Sequence, residues 1–143
     1  MVLKLKKLND NAIIPTRGSE KAAGYDLYAA EEASIKAGET VKIGTGIAVA
    51  IPDGYFGGIY ARSGLATKEG LRPANCVGVI DSDYRGELIV SIHNDSSVDR
   101  VIEKGERMAQ LVVQPYLSVE FEEADELDET ERGDGGFGHS GKK

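Results

Sequence analysis

The chain has 143 residues, a length that favours a single domain with one hydrophobic core. Hydrophobic residues make up 41% of it, which excludes a disordered protein, and its single cysteine excludes a disulfide framework and a cysteine-based zinc site. The net charge of −7 argues against a general nucleic-acid binder, and no apolar run is long enough to span a membrane. We therefore expect a cytoplasmic protein that binds neither nucleic acid nor membrane.

The predicted elements are almost all strands. Alternation with period two begins at V-L-K-L-K near the start and recurs within Thr40–Ile51. The segments Y-F-G-G-I-Y-A, E-L-I-V-S-I-H and M-A-Q-L-V-V-Q-P-Y follow, each rich in β-branched or aromatic residues. Turn signals separate these segments at Ala37-Gly38, Pro52-Asp53-Gly54, Asp83-Tyr84-Arg85-Gly86 and Lys104-Gly105. Short strands with glycine-containing turns indicate an all-β sandwich or barrel.

One segment predicts a short helix. Residues 63–70 begin with Ser63, a residue type that caps helices, and end in Gly70. Ser63 and Gly64 would then lie at the helix N-terminus, directly after Arg62. Free amides, a hydroxyl and a guanidinium could together bind an anion, although ordinary helix capping explains the same residues equally well.

An isolated carboxylate interrupts the small and apolar segment A-G-Y-D-L-Y-A-A. Asp26 is either a turn-forming residue or a ligand near a Mg²⁺ ion, and the residues alone favour the turn.

Two carboxylates lie in the segment N-C-V-G-V-I-D-S-D-Y-R-G-E-L. Asp81 and Asp83 would share one side if this segment were extended, or they could be the turn residues of a β-hairpin. In a functional interpretation, one Asp is the general base for a water molecule and Tyr84 offers a flat surface to a ring. Asn75 adds a paired donor and acceptor for a base edge. We expect the neighbouring Cys76 to be a small buried residue.

The C-terminal segment combines an acidic run with a glycine-rich end. Residues 120–131 carry closely spaced Asp and Glu and predict a solvated linker. The ending R-G-D-G-G-F-G-H-S-G-K-K resembles a phosphate-binding glycine motif, but there is no room for the helix that such motifs require. A flexible end without function is the simpler alternative. Against it, Arg132 offers a cation for phosphate and Phe137 a surface for stacking.

These segments, together with G-E-R-M-A-Q-L, resemble the five ordered motifs of trimeric dUTPases, the deoxyuridine triphosphate nucleotidohydrolases. The longest matches are G-V-I-D-S-D-Y-R-G-E and R-G-D-G-G-F-G-H-S-G. The resemblance implies a jelly-roll-like β-sandwich or distorted barrel of the β-clip type, with one short helix. Residues 1–119 would form the β domain, and residues 120–143 would form an acidic linker and a flexible glycine-rich lid. It further implies a homotrimer with active sites at the subunit interfaces.

The resemblance also implies an activity and a role for each matching residue. The enzyme would be a dUTP diphosphatase that converts dUTP to dUMP and pyrophosphate with Mg²⁺, by water attack on the α-phosphorus. Asp81 would activate the water, Tyr84 would pack under the deoxyribose, and Asp26 would hold a water of the metal shell. The implied substrate contacts are Asn75, Val79 and Ile80 around uracil, Arg62, Ser63, Gly64 and Gln110 on the phosphates, Arg132 on the γ-phosphate, Phe137 stacked on uracil, and Gly138, His139 and Ser140 in the closing loop.

Two alternatives to this activity follow from the same residues. A dCTP deaminase would resemble dUTPases in fold, but Ser91 stands where we align the catalytic Glu of that enzyme. A nucleotide-binding module without turnover could lose both Asp81 and the glycine-rich end, and this chain has both.

Overall fold

The structure is a computed structural model that describes residues 1–142, so Lys143, at the end of the predicted lid segment, lies outside the described residues. Residues 1–142 form eleven strands and one helix, which confirms the all-β prediction. The elements are β1 (Lys4–Lys7), β2 (Tyr25–Tyr28), β3 (Ala33–Ile35), β4 (Thr40–Gly44), β5 (Ile47–Ala50), β6 (Tyr55–Tyr60), α1 (Ser63–Glu69), β7 (Leu71–Pro73), β8 (Gly78–Ile80), β9 (Ile89–Asn94), β10 (Arg100–Ile102) and β11 (Arg107–Pro115).

The strands form four antiparallel sheets. A four-stranded sheet has the order β2-β11-β6-β8, a three-stranded sheet has the order β4-β9-β7, and β1-β5 and β10-β3 form pairs. One cluster of buried apolar side chains draws on all four sheets, with Leu27, Ile43, Ile47 and Ile102 among its members. The sheets described in residues 1–142 do not close into a barrel, so the predicted jelly-roll-like β-sandwich is confirmed without a closed barrel.

The predicted strand region Thr40–Ile51 is two strands. The break falls at Thr45 and Gly46, where Gly46 has a positive φ of 69°, a conformation that favours glycine. Thr45 is buried, and its hydroxyl donates to the carbonyl of Leu88 at 2.6 Å. The turn between β4 and β5 is thereby attached to Leu88, the residue before β9.

The longest strand organises the four-stranded sheet. β11 pairs with β2 on one side and with β6 on the other, and its Gln110 lies opposite both Asp26 and Tyr60. Directly opposed residues of antiparallel strands project from the same face, so these three side chains share one face. Their neighbours Leu27 and Leu111 project from the other face and are buried in the core. The sheet therefore presents a polar row on its outer face.

The helix lies where it was predicted, but its cap is one residue earlier. Arg62 occupies the cap position with an extended backbone and makes no side-chain capping hydrogen bond, and Ser63 is the first helical residue. The reason is that the first helical hydrogen bond runs from the Ala66 amide to the Arg62 carbonyl at 3.0 Å. Gly70 ends the helix in the left-handed conformation, as predicted.

Candidate active site

The first group of candidate site residues surrounds Asp26. The prediction of a turn at Asp26 is wrong, because the residue lies within β2, where it pairs with Gln110. Its side chain is only 14% exposed, and Arg62 Nε donates to its Oδ1 at 2.9 Å. Arg107 Nη1 lies 3.8 Å from Asp26 Oδ2. One partly buried carboxylate therefore orients two arginines on the outer face of the sheet.

Gln110 completes this group. Its Nε2 donates to the carbonyl of Ala61 at 2.8 Å, which fixes the amide beside the start of the helix. Gly24 lies so close that a Cβ there would overlap the Gln110 side chain. Gln110 and Gly24 also line a cavity of about 460 Å³. We call Asp26, Arg62, Arg107 and Gln110 the arginine cluster.

Ser63 and Gly64 are adjacent to the arginine cluster. Both are exposed at the first turn of the helix, directly after Arg62. The structure thus brings together the predicted residues of three separate sequence segments. Arg107 was missed by the sequence reasoning, although it lies in the quoted segment G-E-R-M-A-Q-L three residues before Gln110.

The second group lies on the loop from Asp81 to Leu88, which we call the Asp81 loop. Its predicted hairpin form is wrong, because β8 belongs to the four-stranded sheet and β9 to the three-stranded one. The expectation of an extended segment with Asp81 and Asp83 on one side is also not met. The Tyr84 amide donates to the Asp81 carbonyl at 3.2 Å, so these residues form a tight turn. Asp81 and Asp83 are both exposed.

A cavity of about 190 Å³ lies against the Asp81 loop. It is lined by Val79, Ile80, Asp81, Tyr84, Glu87 and Ile89. Glu87 and Ile89 were not among the predicted residues, because Ile89 reads as an ordinary strand position and Glu87 as a solvated charge. Asn75 does not line this cavity and lies beside Gly78, at the beginning of β8.

The two groups are far apart within one chain. Asp26 lies on β2, at the opposite edge of the sheet from β8, in the row of Tyr60. Asp81 follows Ile80, which pairs with Gly57. Three strand spacings separate β2 from β8 across the sheet, and four residues separate the row of Asp26 from the row of Asp81 along the strands. These two displacements place Asp26 and Asp81 about 20 Å apart. A single chain therefore does not bring the arginine cluster and the Asp81 loop onto one small ligand.

Over the residues that the structure describes, the hydrogen bonds of the glycine-rich end stay within residues 130–141. Phe137 is fully exposed and has a positive φ of 47°. Arg132 Nε donates to the Gly135 carbonyl at 2.8 Å, within the same segment. A cavity of about 260 Å³ is lined by residues of this segment alone, namely Arg132, Gly136, Phe137, Gly138, His139 and Ser140.

Cys76 is not buried, contrary to expectation. It is exposed, its thiol donates to the Pro73 carbonyl at 2.6 Å, and Arg72 Nη1 lies 3.6 Å from its sulfur.

Arg72 also forms a paired hydrogen bond with Asp95, which raises the pKa of Arg72 and lowers the pKa of Asp95. Because the pKa of Asp95 is lowered, this ion pair stabilises the fold at pH values above the ordinary pKa of an Asp. The stabilisation is lost as the pH falls through the pKa of Asp95 in the folded protein. Because both groups are exposed, the contribution is small.

The side chains of the candidate site limit how a metal ion could bind. Within residues 1–142, no group of three or more His, Cys, Asp or Glu side chains is placed to hold a metal ion. Asp26 offers one carboxylate whose Oδ1 bonds Arg62 and whose Oδ2 lies 3.8 Å from Arg107 Nη1, so a cation already stands beside each oxygen. Mg²⁺ commonly binds through one or two carboxylates, several waters and the phosphates of a substrate. The residues therefore fit a Mg²⁺ ion that arrives with a polyphosphate.

Comparison with known proteins decides the family. The dUTPase family model matches residues 10–141. The chain belongs to the dUTPase family. The deoxyuridine 5′-triphosphate nucleotidohydrolase of Nautilia profundicola is 50% identical over 142 residues, covering 99% of this chain and all of that protein. The nucleotidohydrolase of Debaryomyces hansenii is 48% identical, covering 94% of this chain and 84% of that protein.

Solved dUTPases share the fold. A mutant dUTPase of Staphylococcus bacteriophage 80alpha, solved with dUpNHpp, has a TM-score of 0.92 and 34% identity and covers 98% of both chains. A mutant dUTPase of phage phi11 of S. aureus, described with a structural Mg(II) ion, has a TM-score of 0.84 and 28% identity. It covers 90% of this chain and 100% of its own. These similarities confirm the jelly-roll-like fold that the motifs implied. In addition, residues 1–142 contain no helix that is long and apolar enough to cross a membrane.

Proposed function

We propose that this dUTPase-family chain hydrolyses dUTP to dUMP and pyrophosphate with Mg²⁺, which lowers dUTP and supplies dUMP for dTMP synthesis. The observation that carries the proposal is the Asp81 loop, which sets one exposed carboxylate and one aromatic ring against a small cavity. Family membership, with nucleotidohydrolases at 48–50% identity, supports the same reaction.

Asp81 is the general base in this proposal. Its carboxylate accepts a proton from a water whose oxygen bonds to the α-phosphorus, while the bond from that phosphorus to the bridging oxygen breaks and pyrophosphate leaves. Asp81 is exposed at the rim of the cavity, where one water can be held in line with the leaving group. This assignment gives the neighbouring Asp83 no part in the reaction.

The phosphates are bound by the arginine cluster and by the residues after Arg62. Arg62 and Arg107 are oriented by Asp26, and the exposed Ser63 and Gly64 offer a hydroxyl and backbone amides beside them. A triphosphate carries several negative charges that a chain of net charge −7 would repel, so local cations decide binding. When Mg²⁺ is bound with the substrate it offsets further phosphate charge, and Asp26 would contact it through water.

The base and the sugar are recognised at the Asp81 loop. The backbone of Val79 and Ile80, with Asn75 at the start of β8, supplies the donors and acceptors for the uracil edge, and a cytosine would leave them unpaired. Tyr84 lines the cavity and is 43% exposed, so its ring can pack under a deoxyribose and exclude a 2′-hydroxyl. The exposed Ile89 is an additional apolar wall of this cavity.

The separation of the two groups supports a homotrimer with its sites at the subunit interfaces. About 20 Å within one chain is too far for Asp81 and the arginine cluster to act on the same phosphate chain. A neighbouring copy can bring its Asp81 loop to the arginine cluster of the first, as heterologous contacts in a closed ring do. The exposed Val79 and Val77 beside the loop would be covered in such an assembly.

The glycine-rich end is the lid of this proposal, with residues 120–131 as its solvated tether and residues 1–119 as the β domain. Phe137 is fully exposed, and Arg132 Nε donates to the Gly135 carbonyl of the same segment. On binding dUTP, Phe137 stacks on uracil, Arg132 reaches the γ-phosphate, and the loop of Gly138, His139 and Ser140 closes over the phosphates.

A substrate panel tests the proposed reaction. We expect kcat/KM for dUTP to exceed that for dTTP, dCTP and UTP by at least about 10²-fold, because buried polar groups of the pocket stay unpaired with the wrong base. Removal of Mg²⁺ with a chelator should lower the rate strongly. The measurement is pyrophosphate release with and without Mg²⁺. Equal rates for all four nucleotides would reject the proposal, and ammonia release from dCTP would favour the deaminase alternative, which the Ser91 position argues against.

Mixed subunits test the assembly. Arg62→Ala and Asp81→Asn should each inactivate a homotrimer, since each removes one half of every site. Co-expressed with two different affinity tags and purified on both, the two variants should form mixed trimers with about a third of the wild-type activity, because each mixed ring has one interface that joins an intact Arg62 to an intact Asp81. If both halves came from one chain, the mixed trimers would stay inactive.

A further inference from the structure

We propose that Glu87 is a positioning residue that holds Tyr84, and so sets how strongly the enzyme prefers a deoxyribonucleotide over a ribonucleotide. This inference rests on the proposed function for its kinetic readout. It concerns a residue that the motif comparison leaves without a role.

The Asp81 loop needs such an anchor because no strand ladder supports it. β8 ends before it and β9 begins after it, and the two strands belong to different sheets. The loop is closed locally by the turn from Asp81 to Tyr84 and by Arg85 Nη1, which donates to the Ser82 carbonyl at 2.6 Å and to the Tyr84 carbonyl at 3.0 Å. These bonds hold the loop together but do not attach it to the rest of the molecule.

The side chain of Glu87, together with the backbone of Leu88, makes that attachment. Its Oε1 accepts a hydrogen bond from the Gly46 amide at 2.8 Å, in the turn between β4 and β5. Gly44 lies beneath the same carboxylate, and a Cβ on Gly44 would lie 2.5 Å from Oε1. The absence of a side chain at residue 44 thus leaves the space that the carboxylate occupies. Leu88 adds backbone bonds to the same turn, from Thr45 and to Ile47.

Glu87 also touches Tyr84 directly. The Tyr84 hydroxyl donates to the Glu87 carbonyl oxygen at 3.0 Å, and the ring lies over Gly86, where a Cβ would meet the hydroxyl at 2.4 Å. The tyrosine ring is therefore held at its far end by the one residue whose side chain is fastened to Gly46. Exclusion of a 2′-hydroxyl is a steric effect, and it requires the ring to stay within about 0.5 Å of its position. Loosening Glu87 frees the ring to move away from a ribose.

The decisive variants are Glu87→Ala, which removes the anchor, and Glu87→Gln, which keeps an oxygen acceptor for the Gly46 amide. We expect E87A to lower the ratio of kcat/KM for dUTP to kcat/KM for UTP by at least about tenfold, since misplacement by about 1 Å is costly at reacting sites. E87Q should stay within about threefold of the wild-type ratio.

Gly44→Ala, which crowds the Glu87 carboxylate from below, should reproduce the effect of E87A. Glu31→Ala is the matched control, because Glu31 is an exposed carboxylate beside the same turn.

A second readout does not depend on turnover. Exchange of the Tyr84 amide hydrogen, measured by NMR in the wild-type protein and the variants, should be faster in E87A and G44A and unchanged in E87Q and E31A. A wild-type ratio and wild-type exchange in E87A would overturn the inference. Equal effects of E87A and E87Q would also overturn it, because charge rather than anchoring would then be responsible. Failure of the wild-type protein to hydrolyse dUTP would reject the proposed function, and amide exchange alone would then decide the role of Glu87.

Discussion

Asp81→Asn is expected to lower kcat for dUTP by about 10³-fold while leaving dUTP bound as tightly as before or more tightly. Asparagine has nearly the same shape but does not accept a proton at neutral pH, so the water loses its base. Removing a negative charge near the phosphates reduces repulsion, which is why binding should not weaken. Single-turnover kinetics give the chemical rate, and calorimetry with a non-hydrolysable dUTP analogue gives the affinity.

Asp83→Asn is the matched control for this experiment. Asp83 lies two residues away on the same turn, is also exposed and carries the same charge, but it does not line the 190 Å³ cavity. We expect D83N to keep most of the wild-type kcat. Comparable losses in D81N and D83N would point to a general electrostatic effect of the loop, and full activity in D81N would remove Asp81 from the mechanism.

Truncation after Glu131 is the second change with a large expected effect. It removes Arg132 and Phe137, the cation and the stacking surface of the proposed lid, and should lower kcat/KM for dUTP by roughly 10²–10³-fold. The fold should survive, because the buried core is built from residues between Ala12 and Leu111. Turnover, thermal unfolding and the mass of the assembly in solution measure the three properties separately.

A shorter truncation serves as the control. Ending the chain at Gly141 removes only Lys142 and Lys143 and keeps every lid residue to which a substrate contact is assigned. This variant should retain nearly full activity, as should Phe137→Tyr, which keeps an aromatic face. Loss of the trimer on truncation after Glu131 would instead assign the segment to assembly, and undiminished kcat/KM would show that the lid is dispensable.

Much of the fold could be predicted because strand and turn signals are local. Alternation in V-L-K-L-K and glycines such as Gly38 and Gly105 report the conformation of their own neighbourhood, and both glycines have the positive φ that a turn uses. The Ser63 cap was misplaced by one residue for the same local reason, since a serine is a good cap wherever it stands but the first helical hydrogen bond decides the boundary.

The environment of Asp26 was not predictable in this way. A lone carboxylate in a small and apolar segment reads as a turn, and only its pairing with Gln110, 84 residues along the chain, places it in a ladder beside Arg62. Arg107 and Glu87 were missed on the same grounds, because nothing adjacent to either residue in the sequence shows that it faces Asp26 or Gly46.

The sequence by itself determined the all-β class, the position of the helix, and a set of segments whose order and chemistry resemble a dUTPase. The tertiary structure alone decided that these segments form two separated groups, the arginine cluster and the Asp81 loop, on opposite edges of one sheet. The physical reason is that turn chemistry and side-chain alternation act between near neighbours, whereas the register of β2, β11, β6 and β8 is set by burial of one shared apolar face. That register fixes the spacing of about 20 Å from which we infer a second copy of the chain at every site.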